Sequence, residues 1–245
     1  MLDLWSEKAA GGGKKTPKGI GFVAIPEWPN GASGTTNAAV FSEDGINWIS
    51  TTLSSSRNWR RLAFGKGRFV AVGAHNRGGH TDSVYSDDGI NWKTSTLPAS
   101  GWWDDVVFGK NAFVAVSQNG NIAYSEDGVN WTKVFTCSNR VSSIAFGNGK
   151  FVVAADGDVA NENAINKAYY SEDGRNWVTI TLPMSKRWLD VAFGKGKFIM
   201  IGGDVALSST DGVNWESLSI TSDASLLYIF FENGRFFAIC GLWGI

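Results

Sequence analysis

The chain has 245 residues, with 22 Lys and Arg against 23 Asp and Glu, a formal net charge of −1. That balance excludes a nucleic-acid binder working by bulk phosphate neutralisation, and no apolar run approaches the ~20 residues that a bilayer-spanning helix needs. Thirty Gly, 12 Trp and 15 Phe beside 5 Pro and 2 Cys point to many turns joining short, aromatic-rich strands.

In chain order, residues 1–18 read as an N-terminal arm. Met1-Leu-Asp-Leu-Trp-Ser-Glu-Lys8 lacks the basic and then apolar pattern of a signal peptide, and Gly11-Gly-Gly-Lys-Lys15 has linker composition. Residues 19–245 are expected to form one domain. It opens with strands at 21–25, 38–41 and 48–52. Strands at 59–64, 69–72, 121–125, 131–134, 188–193 and 198–201 represent the following units, and the chain ends in strands at 226–231 and 236–240. Each run is short and β-branched or aromatic, with Gly or Asp-Gly between runs, which is the hairpin signal. No segment carries a sustained 3.6-residue apolar period.

Two phrases recur. The first is Ser42-Glu-Asp-Gly-Ile-Asn-Trp48, with further copies at 86–92, 125–131, 171–177 and 209–215. The second is Phe64-Gly-Lys-Gly-Arg-Phe69, with copies at 108–113, 146–151 and 193–198 and a degenerate one at 231–236. The phrase tryptophans are 44, 39, 46 and 38 residues apart. Each unit therefore holds four strands, A to D, the size of a propeller blade. The predicted fold is an all-β propeller of five four-stranded blades closed by N- and C-terminal strands, in which the terminal A strand pairs onto the first B strand. One B strand is then surplus, either 21–25 or 236–240. A six-bladed ring with one partial blade, recruiting residues 2–5, is the alternative.

The phrase Ser-x-Asp-Gly-x-x-Trp resembles the Asp-box, or BNR, repeat of sialidases, sortilin-type receptors and photosystem-assembly propellers. The likeness covers all five units, although the commoner pattern has one residue between Asp and Gly. It implies that Asp44, Asp88, Asp127, Asp173 and Asp211 sit at C–D hairpin corners remote from any active site. Their chemistry agrees: an Asp side chain accepts turn amides and Gly supplies positive φ. Five equivalent copies also argue against catalysis, which needs one special site. The Phe-Gly phrase is followed by a strand, whereas a phosphate-cradling loop opens a helix, so it reads as the A–B hairpin.

The spacing locates the variation. From each box Trp to the next Phe-Gly the distance is 15 or 16 residues, but from that Phe to the next box Trp it runs from 22 to 31. The length changes therefore fall between strands B and C. In a meander the A–B and C–D turns share one end and the B–C and D–A connections the other, so binding is expected at the second end. Candidate ligand-binding residues there are Trp28; His75, Arg77, His80 and Asp82; Asp156, Asp158, Asn161 and Asn163; and Trp102. An aromatic platform with Asn, Asp, Arg and His hydrogen-bonders suits a sugar ring, whose apolar face stacks and whose hydroxyls need paired partners. No catalytic group, metal or cofactor is expected. His75, His80 and Asp82 lack a further ligand, and the Asp156-Gly-Asp158 segment lacks the spacing of a calcium loop. Of Cys137 and Cys240, one is expected exposed and one buried, without a disulfide.

The combination of Phe-Gly-x-Gly-x-Phe-Val-Ala-Val-Gly with Tyr-Ser-x-Asp-Gly-x-x-Trp is similar to repeats of bacteriophage tail and other virion proteins. That likeness implies a non-enzymatic recognition or assembly propeller in a virion. Its expected partners are a host-surface glycan or receptor and other virion proteins, with neither nucleic acid nor membrane insertion. A purely structural decoration or adaptor role is the alternative, with cytoplasmic localisation as the alternative setting. A sialidase-like glycosidase is a third, disfavoured because the arginine-bearing start of such enzymes is replaced by Gly21-Phe-Val-Ala-Ile-Pro26.

Overall fold

The computed structural model describes residues 2–4, 21–26, 35–74, 79–158, 163–220 and 225–241, and the statements below concern these. They form strands joined by turns, with no helix. The first sheet orders β1 (Leu2–Leu4), β2 (Phe22–Pro26), β3 (Thr36–Ser42) and the leading part of β4 (Ile49–Gly65). The rest of β4 opens the second sheet, followed by β5 (Arg68–Ala74), β6 (His80–Ser86) and β7 (Lys93–Gly101). The third sheet is β8 (Trp103–Gly109), β9 (Ala112–Ser117), β10 (Asn121–Ser125) and β11 (Thr132–Thr136). The fourth is β12 (Asn139–Gly147), β13 (Lys150–Asp158), β14 (Ile165–Ser171) and β15 (Val178–Lys186). The fifth is β16 (Asp190–Gly194), β17 (Lys197–Gly202), β18 (Val205–Ser209) and β19 (Glu216–Leu218). β20 (Ser225–Glu232) and β21 (Arg235–Gly241) form a two-stranded sheet, and Leu226 of β20 also makes an isolated antiparallel bridge to Gly203.

Five four-stranded meanders match the expectation. The completion of the first one differs from it. Leu2–Leu4, inside the segment read as an arm, pairs antiparallel with β2 and takes the A position, while the terminal A strand stays with its own B strand. Neither predicted B strand is displaced: the six-blade alternative describes this pairing, with residues 2–4 recruited and a two-stranded last sheet.

The chain divides into two compact units, residues 1–115 with 123–133 and residues 116–122 with 134–245. B strands carry a buried apolar run, Phe69–Val72 in the first unit and Phe151–Ala155 and Phe198–Ile201 in the second, whereas β21 is largely exposed. D strands alternate or face solvent, as in β15 and β19. The Phe-Gly phrase has two jobs. Its Lys66-Gly67 pair has φ of 50° and 76°, the doubly positive turn whose twist matches antiparallel strands. Its first Gly makes room for the neighbouring sheet: a Cβ on Gly65 would lie 2.1 Å from the Phe108 ring, and one on Gly147 would lie 2.0 Å from that of Phe193.

Each unit has its own aromatic core. In the first, Trp59 packs with Val23, Ile25, Leu53 and Phe69, and Trp103 with Val72, Leu97 and Phe113. In the second, Trp188 packs with Ala154, Leu182, Phe198 and Met200. Bulges interrupt strand A just after its leading residue, at Trp59/Arg61, Val141/Ser143 and Leu226/Tyr228. Such bulges turn side chains at a sheet's rim.

Candidate recognition site

Each sheet has two ends with different chemistry. The A–B turns and Asp boxes share one. Lys66 Nζ donates to the Glu126 carbonyl and Arg68 to the Asp127 carbonyl in the first unit, and Asn148 Nδ2 donates to the Gly196 and Thr210 carbonyls in the second. The boxes are near-identical turns. In the second sheet, Asp88 Oδ1 accepts the Ile90 and Asn91 amides at 2.9 and 2.7 Å and the Ser86 hydroxyl at 2.9 Å. Its Oδ2 accepts Asn91 Nδ2 at 2.7 Å, and Ser86 Oγ accepts the Gly89 amide. Asp44, Asp127, Asp173 and Asp211 repeat the pattern. At Asp44 the Asn47 amide, then the Ile46 amide and the Asn47 side chain, hold the carboxyl well below the usual carboxylate range. At the other four, partial burial pushes the opposite way, and the same set of donors together outweighs it. The turn itself uses these oxygens.

The other end carries the B–C and D–A connections. Trp28, His75, Arg77 and Asn161 lie outside the described residues. The remaining candidates fall into two groups, one in each unit.

In the first unit, Asp82 on β6 pairs with Arg57 Nη2, and the Asp82 amide donates to His80 Nδ1 at 3.1 Å. His80 stands opposite Gly101, so the next residue, Trp102, follows directly at the corner; its side chain makes it 39% exposed. The corner that supplies Arg57 is the D–A connection Thr52-Leu-Ser-Ser-Ser56, matched later by Thr96-Leu-Pro-Ala-Ser100 and Thr181-Leu-Pro-Met-Ser185. The leucines are buried, anchoring a register jump in which the D strand runs five residues against two of its partner. Within this corner Ser55 Oγ, Arg57 Nε and Trp59 Nε1 are buried without a hydrogen-bond partner among the described residues. The equivalent Trp103 Nε1 donates to the Ala99 carbonyl and Trp188 Nε1 to that of Ile165. Deeper along strand A, Arg60 faces Asp104 at 3.5 Å and Arg61 faces Asp105 at 4.0 Å.

In the second unit, Asp156 at the end of β13 is 9% exposed and receives Arg187 through two contacts, 2.9 Å to Oδ1 and 3.0 Å to Oδ2. Arg140 stands 3.9 Å from the same carboxylate and donates to Gln118 Oε1 at 2.9 Å. The result is a rim ladder of Gln118, Arg140, Asp156 and Arg187. Asn163 is exposed and Asp158 ends β13 opposite Asn139.

Sequence reading missed Arg57, Gln118, Arg140 and Arg187 as rim residues. A signal was available for two of them. Arg140 and Arg187 each stand directly before the residue that leads strand A, the position occupied by Trp102 in the third sheet. Cys137, in a connection, is the buried thiol, and burial pushes it up so that it is inert; Cys240, in a strand, is the exposed one. Among the described residues no three His, Cys, Asp or Glu side chains gather as a metal site requires.

No protein-family model matches this chain, and no curated protein matches it. Solved structures do. YCF48 bound to D1 peptide superposes with a TM-score of 0.64 at 15% identity, over 91% of this chain and 72% of that one. YCF48 from Cyanidioschyzon merolae gives 0.61 at 16% identity, over 85% and 74%. The Pan2 WD40 domain of Neurospora crassa gives 0.60 at 11% identity, over 85% and 65%. At such identities the likeness concerns the fold alone, and with the five antiparallel four-stranded sheets it makes this chain a β-propeller.

Proposed function

We propose that the protein is a non-enzymatic recognition module whose ligand sits at the end of the B–C and D–A connections. One observation carries the reading: in the first unit the exposed Trp102 follows Gly101, the strand partner of His80, and Asp82 on the same strand as His80 pairs with Arg57, whose own corner holds donors that are buried and unpartnered among the described residues. An aromatic face beside fixed donors and acceptors is how proteins hold a sugar ring or a receptor segment. The non-enzymatic character is supported by the Asp-box carboxylates, which are occupied by their own turns, and by rim arginines tied to Asp82, Asp156 and Gln118.

The setting we propose is a phage tail or another part of a virion, on the likeness of the repeats, with a host-surface glycan or receptor as ligand. A second reading, docking of a protein segment in a structural or adaptor role, is supported by the neighbour whose structure contains a peptide. A glycan array probed with the intact protein and with a Trp28→Ala, Trp102→Ala variant separates these. Glycan binding lost in the variant supports the first reading. Binding that survives both changes removes the site, and an array with no signal leaves docking as the function.

A further inference from the structure

In three of the sheets strand C opens at an equivalent residue ahead of its box Ser: Thr36, His80 and Ile165. In each, a register jump separates that residue from the next paired one, at Thr36/Ala38, His80/Asp82 and Ile165/Lys167. The jump interrupts the ladder, and there a side chain can serve the amide two residues on. In the first sheet Thr36 Oγ1 accepts the Ala38 amide at 3.0 Å. In the second, His80 Nδ1 accepts the Asp82 amide at 3.1 Å. In the fourth, the aliphatic Ile165 has no side-chain atom that could accept one. Of the two side chains that make this bond, the hydroxyl does not titrate, whereas an imidazole titrates near neutral pH.

An imidazole accepts through Nδ1 only while that nitrogen carries no proton. Protonation sets one donor against another, and the bond is lost. Asp82 is also the residue that holds Arg57, the two side chains being 26% and 30% exposed. Arg57 in turn stands opposite Thr36, and Gly101, opposite His80, leads into the exposed Trp102. Among the described residues the charged groups at this corner are Asp82 on β6 and Arg57 on β4. Arg60 and Arg61, further along β4, face Asp104 and Asp105 of β8. Gly73 and Ala74 at the end of β5, and Ser100, Gly101 and Trp102 at the end of β7, bring no charge. His80 and Asp82 are two apart on one strand, so their side chains share a face, and an imidazolium competes with Arg57 for the carboxylate. We propose that His80 is a proton-operated latch on this corner: neutral, it fixes the start of β6 and leaves Asp82 to Arg57; protonated, it releases the Asp82 amide and draws the carboxylate away from Arg57. The latch is closed above the ordinary imidazole range and opens as pH falls through it, between about pH 7.5 and 5.5. As regulation of the recognition corner it rests on the function proposed above; as a switch it is tested without any ligand, so the two can fail separately.

The test is solution NMR on the intact protein across that pH interval. The Asp82 amide shift should follow the His80 Cε1 titration with a single midpoint. Exchange of the Asp82 amide, taken relative to a His80→Thr variant at the same pH, should speed up about tenfold, as the neutral imidazole fraction falls. His80→Thr copies the Thr36 arrangement and should itself keep the amide protected throughout. His80→Ile copies the Ile165 arrangement and should exchange fast at both ends of the interval. His75→Thr should leave the wild-type profile unchanged. An Asp82 amide that ignores the His80 titration overturns the proposal, and that measurement needs no variant to fold. So does an Ile variant as protected as wild type at the high end, or a profile lost in His75→Thr, which would assign the titration to the other histidine.

Discussion

Asp190 on β16 accepts the Ile229 amide of β20 at 2.8 Å through Oδ2, which ties two adjacent A strands together. Its Oδ1 accepts the Ser143 hydroxyl of β12 at 2.6 Å and the Val191 amide at 2.8 Å. One carboxylate, 7% exposed, therefore links three successive sheets of the second unit. Asp190→Ala removes the side-chain acceptor of two buried amides, those of Val191 and Ile229, and should cost about 2–4 kcal/mol in urea denaturation. Asp190→Asn, which keeps one acceptor, should cost less. Equal midpoints for wild type and the Ala variant would show that water replaces the carboxylate.

Close approach between sheets gives a paired test. Gly147 abuts the Phe193 ring, so Gly147→Ala must displace an aromatic side chain and should cost about 2–4 kcal/mol. Gly196 has φ of 72° and open space around its missing Cβ. Gly196→Ala meets only backbone strain, about 1 kcal/mol. Thermal melting of the two variants should rank them in that order, and the reverse order would mean that turn geometry outweighs sheet packing.

The Asp boxes make stability depend on acid. A carboxyl held low in the folded chain and ordinary in the unfolded one stabilises fully above the unfolded value, near pH 4, and that contribution drains as pH falls toward the folded value. Melting temperature should thus fall steadily from about pH 4 downward. Asp211→Asn should melt lower than wild type at pH 6, and the gap should narrow toward pH 2. A gap constant across that range would be evidence that the Asp211 charge contributes nothing.

The hairpins could be read from the chain because each is local: Ser, Asp, Gly, Asn and Trp of a box bond within a few residues of one another. The Lys66-Gly67 type of turn is equally self-contained. Completion of the first sheet was legible only as the alternative that recruits residues 2–5, since Leu2–Leu4 carries no repeat phrase and pairs with β2 across a stretch outside the described residues. The rim was half legible. Loop lengths pointed to the end of the sheets at which His80, Asp82 and Asp156 lie. The partners Arg57, Arg140 and Arg187 are set by the D–A register jump and the strand A bulge, which phrase spacing does not encode. Cys240 is exposed because, among the described residues, no further strand pairs with the outer edge of β21, which no local phrase encodes.

Trp102 should separate binding from folding. The residue is 39% exposed, so Trp102→Ala should cost under about 1 kcal/mol of stability. If the indole is the platform under the ligand, the same change should weaken binding by about 2 kcal/mol, roughly 30-fold. Arg57→Ala behaves differently. It leaves Asp82, a half-buried carboxylate, without its guanidinium partner, and should lower stability by about 1–3 kcal/mol as well as affinity. Melting and titration of both variants against a glycan or peptide hit will distinguish them. A Trp102→Ala protein that melts early yet binds normally would show the indole to be a packing residue, and would move the search for the ligand to the Gln118–Arg140–Asp156–Arg187 rim of the second unit.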